Sequence, residues 1–158
     1  MFKLFPLLLT ALFMLISGGA GAGGLTGAAE ARDGRTLIIN GTPVELYGID
    51  SLERDQTCLT KRNKEFPCGQ VATTALATLI HHVVVDCRPE GPDLPVQKAI
   101  CRAGPMDIAE QQVIQGWAFA DPETGNRYRR AERAARVLNE GIWKGRFDFP
   151  WDWRKQHR

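Results

Sequence analysis

The stretch from Asp33 to Glu53 constrains the fold of this 158-residue chain more than any other segment. Two runs rich in β-branched and aliphatic residues, 36–39 and 42–47, flank the dipeptide Asn40-Gly41. Asn and Gly tolerate the positive φ that both central residues of a type I′ turn require, so the pattern predicts a tight β-hairpin. Charged side chains lie at the two ends of this hairpin, and we expect the functional site there. They are Asp33, Arg35, Glu45, Asp50 and Glu53.

The remaining elements are predicted from periodicity and turn residues. Residues 25–32 and 36–39 are expected to form one long, bent strand that is broken at Asp33-Gly34, and residues 48–67 a polar loop. Further strands are expected over 83–88 and 96–102, and helices over 69–82, 106–115 and 126–140. Asp107 is the expected N-cap of the second helix, and Gly116 its left-handed end.

The order D-G-x-T-L, then the N-G hairpin, then L-Y-G-I-D-x-x-E resembles the staphylococcal nuclease-like (thermonuclease) family. The segments Q-G-W-A at 115–118 and G-I-W at 141–143 add to this resemblance, which covers residues 25–158. It implies an α+β fold, an OB-type five-stranded β-barrel with three α-helices. Active members of that family use Ca²⁺ to cleave phosphodiester bonds in DNA and RNA.

The positions that would bind the metal ion depart from the family pattern. Active members read D-G-D-T-L, and the second Asp, a metal ligand, is replaced here by Arg35. A cation at this position repels Ca²⁺ directly. The second metal carboxylate corresponds to Asp50, which is retained, but one carboxylate facing an arginine is a weak calcium site.

The positions of the two catalytic arginines are also changed. Counting back from Asp50 places Glu45 at the first, and the later Y-G-R triplet corresponds to Leu94-Pro95-Val96, so Val96 stands at the second. Glu53 is retained at the position of the general base. Because an acid became Arg35 and a base became Glu45, we expect an Arg35–Glu45 ion pair, shared with Asp50, to fill the old site.

The N-terminus reads as a secretory signal peptide over residues 1–22. Lys3 precedes a 13-residue apolar run, too short to span a bilayer as a helix, and Ala20-Gly21-Ala22 forms an A-x-A cleavage site. Ala29-Glu30-Ala31 is a second candidate, but cleavage there would remove a predicted strand. The mature chain, 23–158, is expected to be a single domain. It keeps 19 basic and 18 acidic residues, so it has no general attraction for polyanions.

Four cysteines in an exported domain indicate two disulfides, with three connectivities open from spacing alone. We choose Cys58–Cys68, which closes a short polar loop, and Cys87–Cys101, which joins two neighbouring strands. Zinc ligation is disfavoured because no C-x-x-C spacing is present.

Two surfaces have both a structural and a functional interpretation. Arg129, Arg133 and Arg136 line one face of the last predicted helix, either as a solvated face or as an anion-binding stripe. Trp151 and Trp153 in the tail either pack back on the domain or form an exposed aromatic–basic patch.

These observations favour an exported, periplasmic or secreted, monomeric domain that has lost nuclease activity and acts as a binding or accessory module. The resemblance extends to small exported proteins of exopolysaccharide (succinoglycan-type) biosynthesis, so the expected partner is a protein or a glycan, with no cofactor. The alternative is an active Ca²⁺-dependent nuclease with nucleic acid as its substrate. A different enzyme on the same barrel has no supporting motif.

Overall fold

The computed structural model describes residues 23–124 and 126–157. Its ten strands are β1 (Leu25–Ala31), β2 (Thr36–Ile39), β3 (Thr42–Leu46), β4 (Ile49–Ser51), β5 (Cys58–Leu59), β6 (Glu65–Phe66), β7 (Val84–Pro89), β8 (Gln97–Ala103), β9 (Met106–Asp107) and β10 (Ala118–Ala120). Its four α-helices are α1 (Cys68–Leu79), α2 (Ile108–Ile114), α3 (Arg129–Leu138) and α4 (Pro150–Gln156). Two 3₁₀ turns lie at Pro122–Thr124 and Gly141–Lys144.

Five strands close a mixed β-barrel, which confirms the predicted OB-type fold class. Their order is β3-β2-β1-β7-β8, with antiparallel neighbours throughout, and a parallel pairing of β3 with β8 closes the ring. The short strand β9 extends β8 outside the ring. Closure leaves no open sheet edge within the ring, so the barrel is a rigid support for the loops at its ends.

The predicted Asn40-Gly41 hairpin is present. Both residues have positive φ, 50° and 78°, and Ile39 pairs with Thr42 across the turn. The expectation of one bent strand before it was wrong, because β1 folds back on β2 as a second antiparallel hairpin. The Arg32 amide donates to the Thr36 carbonyl at 2.9 Å, and the Asp33 carboxylate accepts from the Arg35 amide at 3.0 Å. These hydrogen bonds reverse the direction of the chain at Asp33-Gly34, where only a bend was predicted.

Strand β1 is an integral part of the ring. It pairs with β2 on one side and with β7 on the other, where Gly27 faces Val85. Cleavage at the second signal-peptidase candidate, Ala29-Glu30-Ala31, would therefore remove the whole of β1 and open the barrel. The proposed signal peptide itself, residues 1–22, lies outside the described residues. Within the described residues, no helix is both long enough and apolar enough to cross a bilayer.

Both chosen disulfides are present in the structure. Cys58–Cys68 ties the β5–β6 hairpin to the start of α1, and Cys87–Cys101 joins neighbouring strands β7 and β8. The segment 48–67, which was expected to be a polar loop, contains the three short strands β4, β5 and β6. The Cys58–Cys68 disulfide holds its C-terminal end. This fixes the segment that follows Asp50 and Glu53.

Helices α2 and α3 are joined by buried polar contacts. Asp107 caps α2 as predicted, since its carboxylate accepts from the Glu110 amide at 3.2 Å. The same carboxylate accepts from the Tyr128 hydroxyl, at 3.1 Å to each oxygen. The pKa of Tyr128 is raised to about 12, chiefly because the hydroxyl is buried and secondly because Asp107 is negatively charged.

A second, aromatic core holds the C-terminal segment to the barrel. Phe119 is completely buried, with its ring centroid 5.6 Å from Trp143, 5.4 Å from Phe147 and 5.2 Å from Phe149. Trp151 stacks on Phe149 at 4.6 Å, so the tail packs back on the domain. The predicted count of three helices was wrong, because the tail forms the fourth helix, α4, on this aromatic base. Pro150 starts it, as a proline suits the first helical turn.

Candidate functional site

The two acids Asp50 and Glu53 lie on one short segment that begins with β4. Asp50 pairs in register with Phe119 of β10, and its carboxylate accepts from the Ser51 amide at 2.9 Å. The Glu53 amide donates to the side-chain oxygen of buried Gln56 at 3.1 Å. The Gln56 side chain in turn donates to the Asp148 carbonyl at 2.7 Å. One buried glutamine therefore connects the acid-bearing segment to the chain just before α4.

Arg35, at the end of the β1–β2 turn, binds both of these acids. Its Nη1 donates to Asp50 Oδ1 at 2.9 Å and to Glu53 Oε1 at 3.1 Å. Burial alone would lower the pKa of Arg35, but the negative charges of Asp50 and Glu53 outweigh burial, and the pKa is raised. Arg35 is therefore a permanent cation at the position where the resemblance places a metal ligand.

Arg154 of α4 binds the same two acids from the opposite end of the chain. Its two terminal nitrogens meet the two oxygens of Asp50, at 2.7 and 3.3 Å, and one of them also contacts Glu53 Oε1. This is the bidentate geometry in which a planar guanidinium binds a carboxylate best. Hydrogen bonding to Asp50 is the largest cause that raises the pKa of Arg154 above its ordinary value.

The four side chains form a closed quartet of two cations and two anions. The Asp50 side chain is only 14% exposed, while Arg154 is 38% exposed and closes the site from outside. Breaking one partner out of such a group is costly because it leaves a half-buried charge unpaired. We call Arg35, Asp50, Glu53 and Arg154 the ion-pair quartet.

The quartet does not fit a calcium ion. Ca²⁺ takes six to eight oxygen ligands, chiefly carboxylates and carbonyls. Here the two carboxylates already accept hydrogen bonds from two guanidinium groups, and both cations would have to leave. Across residues 23–124 and 126–157, no group of three or more His, Cys, Asp or Glu side chains could hold a metal ion.

The expected Arg35–Glu45 ion pair is absent among the described residues. Arg35 turns toward Asp50 and Glu53, and Glu45 instead lies in register with Lys98 across the parallel β3–β8 pairing. Two acids held within reach of one guanidinium attract it more strongly than a single acid on the neighbouring strand. Val96 lies just before β8, half-buried, outside the lining of the cleft described next.

A cleft of about 470 Å³ opens beside the quartet, and we call it the charged cleft. It lies between the barrel, the loop after β10 and helix α4. Its lining carries both signs of charge and one aromatic ring: Arg35, Glu45, Ile49, Asp50, Lys98, Asp121, Pro122, Glu123, Trp151, Arg154 and Lys155. Such a surface offers hydrogen-bond donors from its basic side chains and acceptors from its acidic side chains. A neutral or sparsely charged polar ligand can use both.

Sequence reasoning missed Arg154 and Lys98 as site residues. Arg154 follows the motif P-W-D-W, whose aromatic side chains gave the only sequence signal that the tail packs on the domain. The sequence does not indicate that Arg154, among the charged residues of the tail, pairs with Asp50 and Glu53. Lys98, two residues after Val96, lies on β8 and brings a cation to the cleft from that strand.

No protein-family model matches the chain. The chain is similar to the succinoglycan biosynthesis protein ExoI of Rhizobium meliloti (strain 1021), with 32% identity over 141 residues. The matched region covers 86% of this chain and 73% of that protein. The similarity therefore spans most of the chain and most of the relative.

Proposed function

This chain belongs to the family of the succinoglycan biosynthesis protein ExoI, and from this premise we propose that it is an exported accessory protein of exopolysaccharide biosynthesis. In this role it binds a glycan or a protein partner and does not cleave phosphodiester bonds. The name of the relative supports the process, and the geometry of the site supports a non-catalytic role.

One observation carries the proposal: Asp50 and Glu53, the acids that a nuclease of the resembling family would use, are both bound by Arg35 and Arg154. A general base must be able to accept a proton from water in the reaction. The Glu53 carboxylate instead accepts hydrogen bonds from Arg35 and Arg154, so its bound oxygen is not free to contact a water molecule. Glu45 adds a negative charge to the same cleft and would repel a phosphate.

Two further features support export and glycan binding. All four cysteines are in disulfides, the usual state of proteins in oxidising compartments such as the periplasm. OB-type barrels bind oligosaccharides as well as nucleic acids, so the fold is compatible with a glycan ligand. We propose that the protein acts as a monomer.

The alternative function is a Ca²⁺-dependent nuclease. It is tested because Asp50 and Glu53 lie side by side, as the metal ligand and general base of such an enzyme would. The disulfide-bonded protein is incubated with denatured DNA or RNA, in millimolar Ca²⁺ or in chelator, at neutral and alkaline pH. We expect no cleavage. Calcium-dependent cleavage that disappears in Glu53→Gln, and persists in the matched surface variant Glu65→Gln, would establish the nuclease instead.

The biosynthetic role is tested separately in the source organism. Deletion of the gene is expected to change the amount or chain length of secreted exopolysaccharide, and both the wild-type gene and Glu53→Gln should restore it. Unchanged exopolysaccharide after deletion would remove the proposed role. Restoration by wild type but not by Glu53→Gln, when the variant accumulates to the wild-type level, would show that the acid is needed for more than structure.

A further inference from the structure

We infer that a second cavity, next to the charged cleft, binds a carboxylate-bearing oligosaccharide. This inference rests on the proposed function and names the ligand class and its site. The cavity has a volume of about 380 Å³ and runs along α3. We call it the arginine groove, and its main lining residues are Arg129, Glu132, Arg133, Arg136, Phe149 and Trp151.

The three arginines lie on one face of α3. Their spacing, i, i+4 and i+7, aligns them along the helix, and at 1.5 Å rise per residue the first and last are about 10 Å apart. A planar guanidinium meets the two oxygens of a carboxylate with two parallel hydrogen bonds. The groove can therefore hold acidic groups that are separated along an extended ligand.

The arginines differ in how strongly the protein already holds them. Arg136 is 3.2 Å from Glu132, and its guanidinium lies 4.4 Å from the Trp143 ring centroid. Within the described part of the chain, Arg129 and Arg133 lie within 4.0 Å of no acidic group, and both are exposed. These two side chains are thus available to a ligand, while Arg136 is fixed.

An aromatic surface adjoins these arginines. Trp151 stacks on Phe149 with 9° between the ring planes, which fixes the orientation of the indole. Trp151 and Pro122 line both the arginine groove and the charged cleft, so the two cavities meet at these residues. A rigid indole presents a broad apolar face to the C–H face of a sugar ring at low entropic cost. The adjoining cleft supplies acids and cations for sugar hydroxyls.

The charge distribution favours a sparsely charged glycan over a nucleic acid. A single nucleic acid strand carries a phosphate at every residue. A strand crossing from the groove into the charged cleft would place consecutive phosphates beside Glu45, Asp121 and Glu123. An oligosaccharide with neutral sugars between its carboxylates can set its charges on the arginines and its hydroxyls against the acids.

Binding is measured by calorimetry and by tryptophan fluorescence with a defined probe. Hyaluronan oligosaccharides are suitable because their carboxylates alternate with neutral sugars, and their carboxyl-reduced forms remove only the charge. We expect the acidic probe to bind, with Arg129→Gln and Arg133→Gln each weakening binding by about tenfold, the effect of one charged hydrogen bond. The carboxyl-reduced probe should bind the unaltered protein no more tightly than the acidic probe binds either arginine variant.

Arg130→Gln is the matched control, since Arg130 is exposed on the same helix but does not line the groove. Its affinity should equal that of the unaltered protein. The inference is overturned if no probe binds, if Arg130→Gln weakens binding as much as Arg133→Gln, or if an oligothymidylate binds more tightly than the glycan. Because the deletion experiment measures exopolysaccharide and not binding, failure of this site and failure of the biosynthetic role are distinguishable.

Discussion

Arg154 and Asp50 form a two-point ion pair across 104 residues of sequence, and this contact closes the site that the barrel builds. Asp50 lies on β4, at the end of the barrel, whereas Arg154 lies on the last helix. Their meeting depends on the aromatic core that holds α4 in place. The C-terminal segment is therefore part of the site and does not merely cover it.

Loss of the Arg154 side chain should destabilise the protein. In Arg154→Ala, Asp50 and Glu53 keep only Arg35, so one negative charge in a half-buried site is uncompensated. We expect the free energy of unfolding to fall by about 1–2 kcal/mol, reduced from the cost of a fully buried pair because Arg154 is partly exposed to solvent. Urea denaturation measures this.

Lys155→Ala is the control for that variant. Lys155 is on the same helix and, among the described residues, pairs only with Asp152, three residues away, so its loss should cost less than about 0.5 kcal/mol. Equal effects of the two substitutions would mean that Arg154 contributes no more than an exposed ion pair.

Replacing both cations of the quartet should create a calcium site at this position. Arg35→Asp combined with Arg154→Gln adds a carboxylate beside Asp50 and Glu53 and removes both competing guanidinium groups. Because a ligand that binds only the folded state stabilises it, millimolar Ca²⁺ should raise the melting temperature of the double variant by several degrees. The unaltered protein should show no shift. A shift of similar size in both proteins would show that Arg35 and Arg154 do not block the metal.

Gly69 is expected to tolerate no side chain. A Cβ atom built at this position would lie 1.7 Å from the Glu53 carbonyl oxygen, because the start of α1 packs directly against the acid-bearing segment. Gly69→Ala should therefore cost about 3 kcal/mol or displace Glu53. Gly41→Ala is the comparison, since its Cβ meets open space and only its positive φ of 78° is strained, which costs about 1 kcal/mol. The melting temperature of Gly69→Ala should therefore be lower than that of Gly41→Ala.

Tyr128 should make stability fall at high pH. Its pKa is raised to about 12 in the folded protein, against about 10 in an unfolded chain, so the unfolded state loses its proton first as pH rises. The contribution is fully present below pH 10 and is lost as pH rises from about 10 to 12, by about 2 kcal/mol in total. Absorbance titration near 295 nm should show one tyrosine ionising late.

The assignment is checked with the two tyrosines of the chain. Tyr128→Phe should remove the late ionisation step, whereas Tyr47→Phe should keep it. Persistence of the late step in Tyr128→Phe would contradict the role of burial and of Asp107 in holding the proton.

The resemblance and the local patterns predicted the barrel because they depend on short-range rules. The Asn40-Gly41 turn has one favoured conformation, Asp107 has an amide three residues away to cap, and Gly116 has the predicted positive φ of 75°. The strand before the hairpin was misjudged because the tight turn at Asp33 depends on a side-chain-to-backbone bond. A break in a strand and a reversal of the chain look alike in the sequence.

The sequence alone determined which charged side chains are present, Arg35, Glu45, Asp50 and Glu53 near the predicted hairpin, and that the tail is rich in tryptophan. Only the tertiary structure decided how these charges pair. Ion pairing depends on distances of a few ångströms between side chains that lie up to about a hundred residues apart, and neither periodicity nor composition encodes such distances. Arg35 therefore pairs with Asp50 and Glu53 and not with Glu45, and Arg154 completes the quartet because aromatic packing brings the end of the chain back to the barrel.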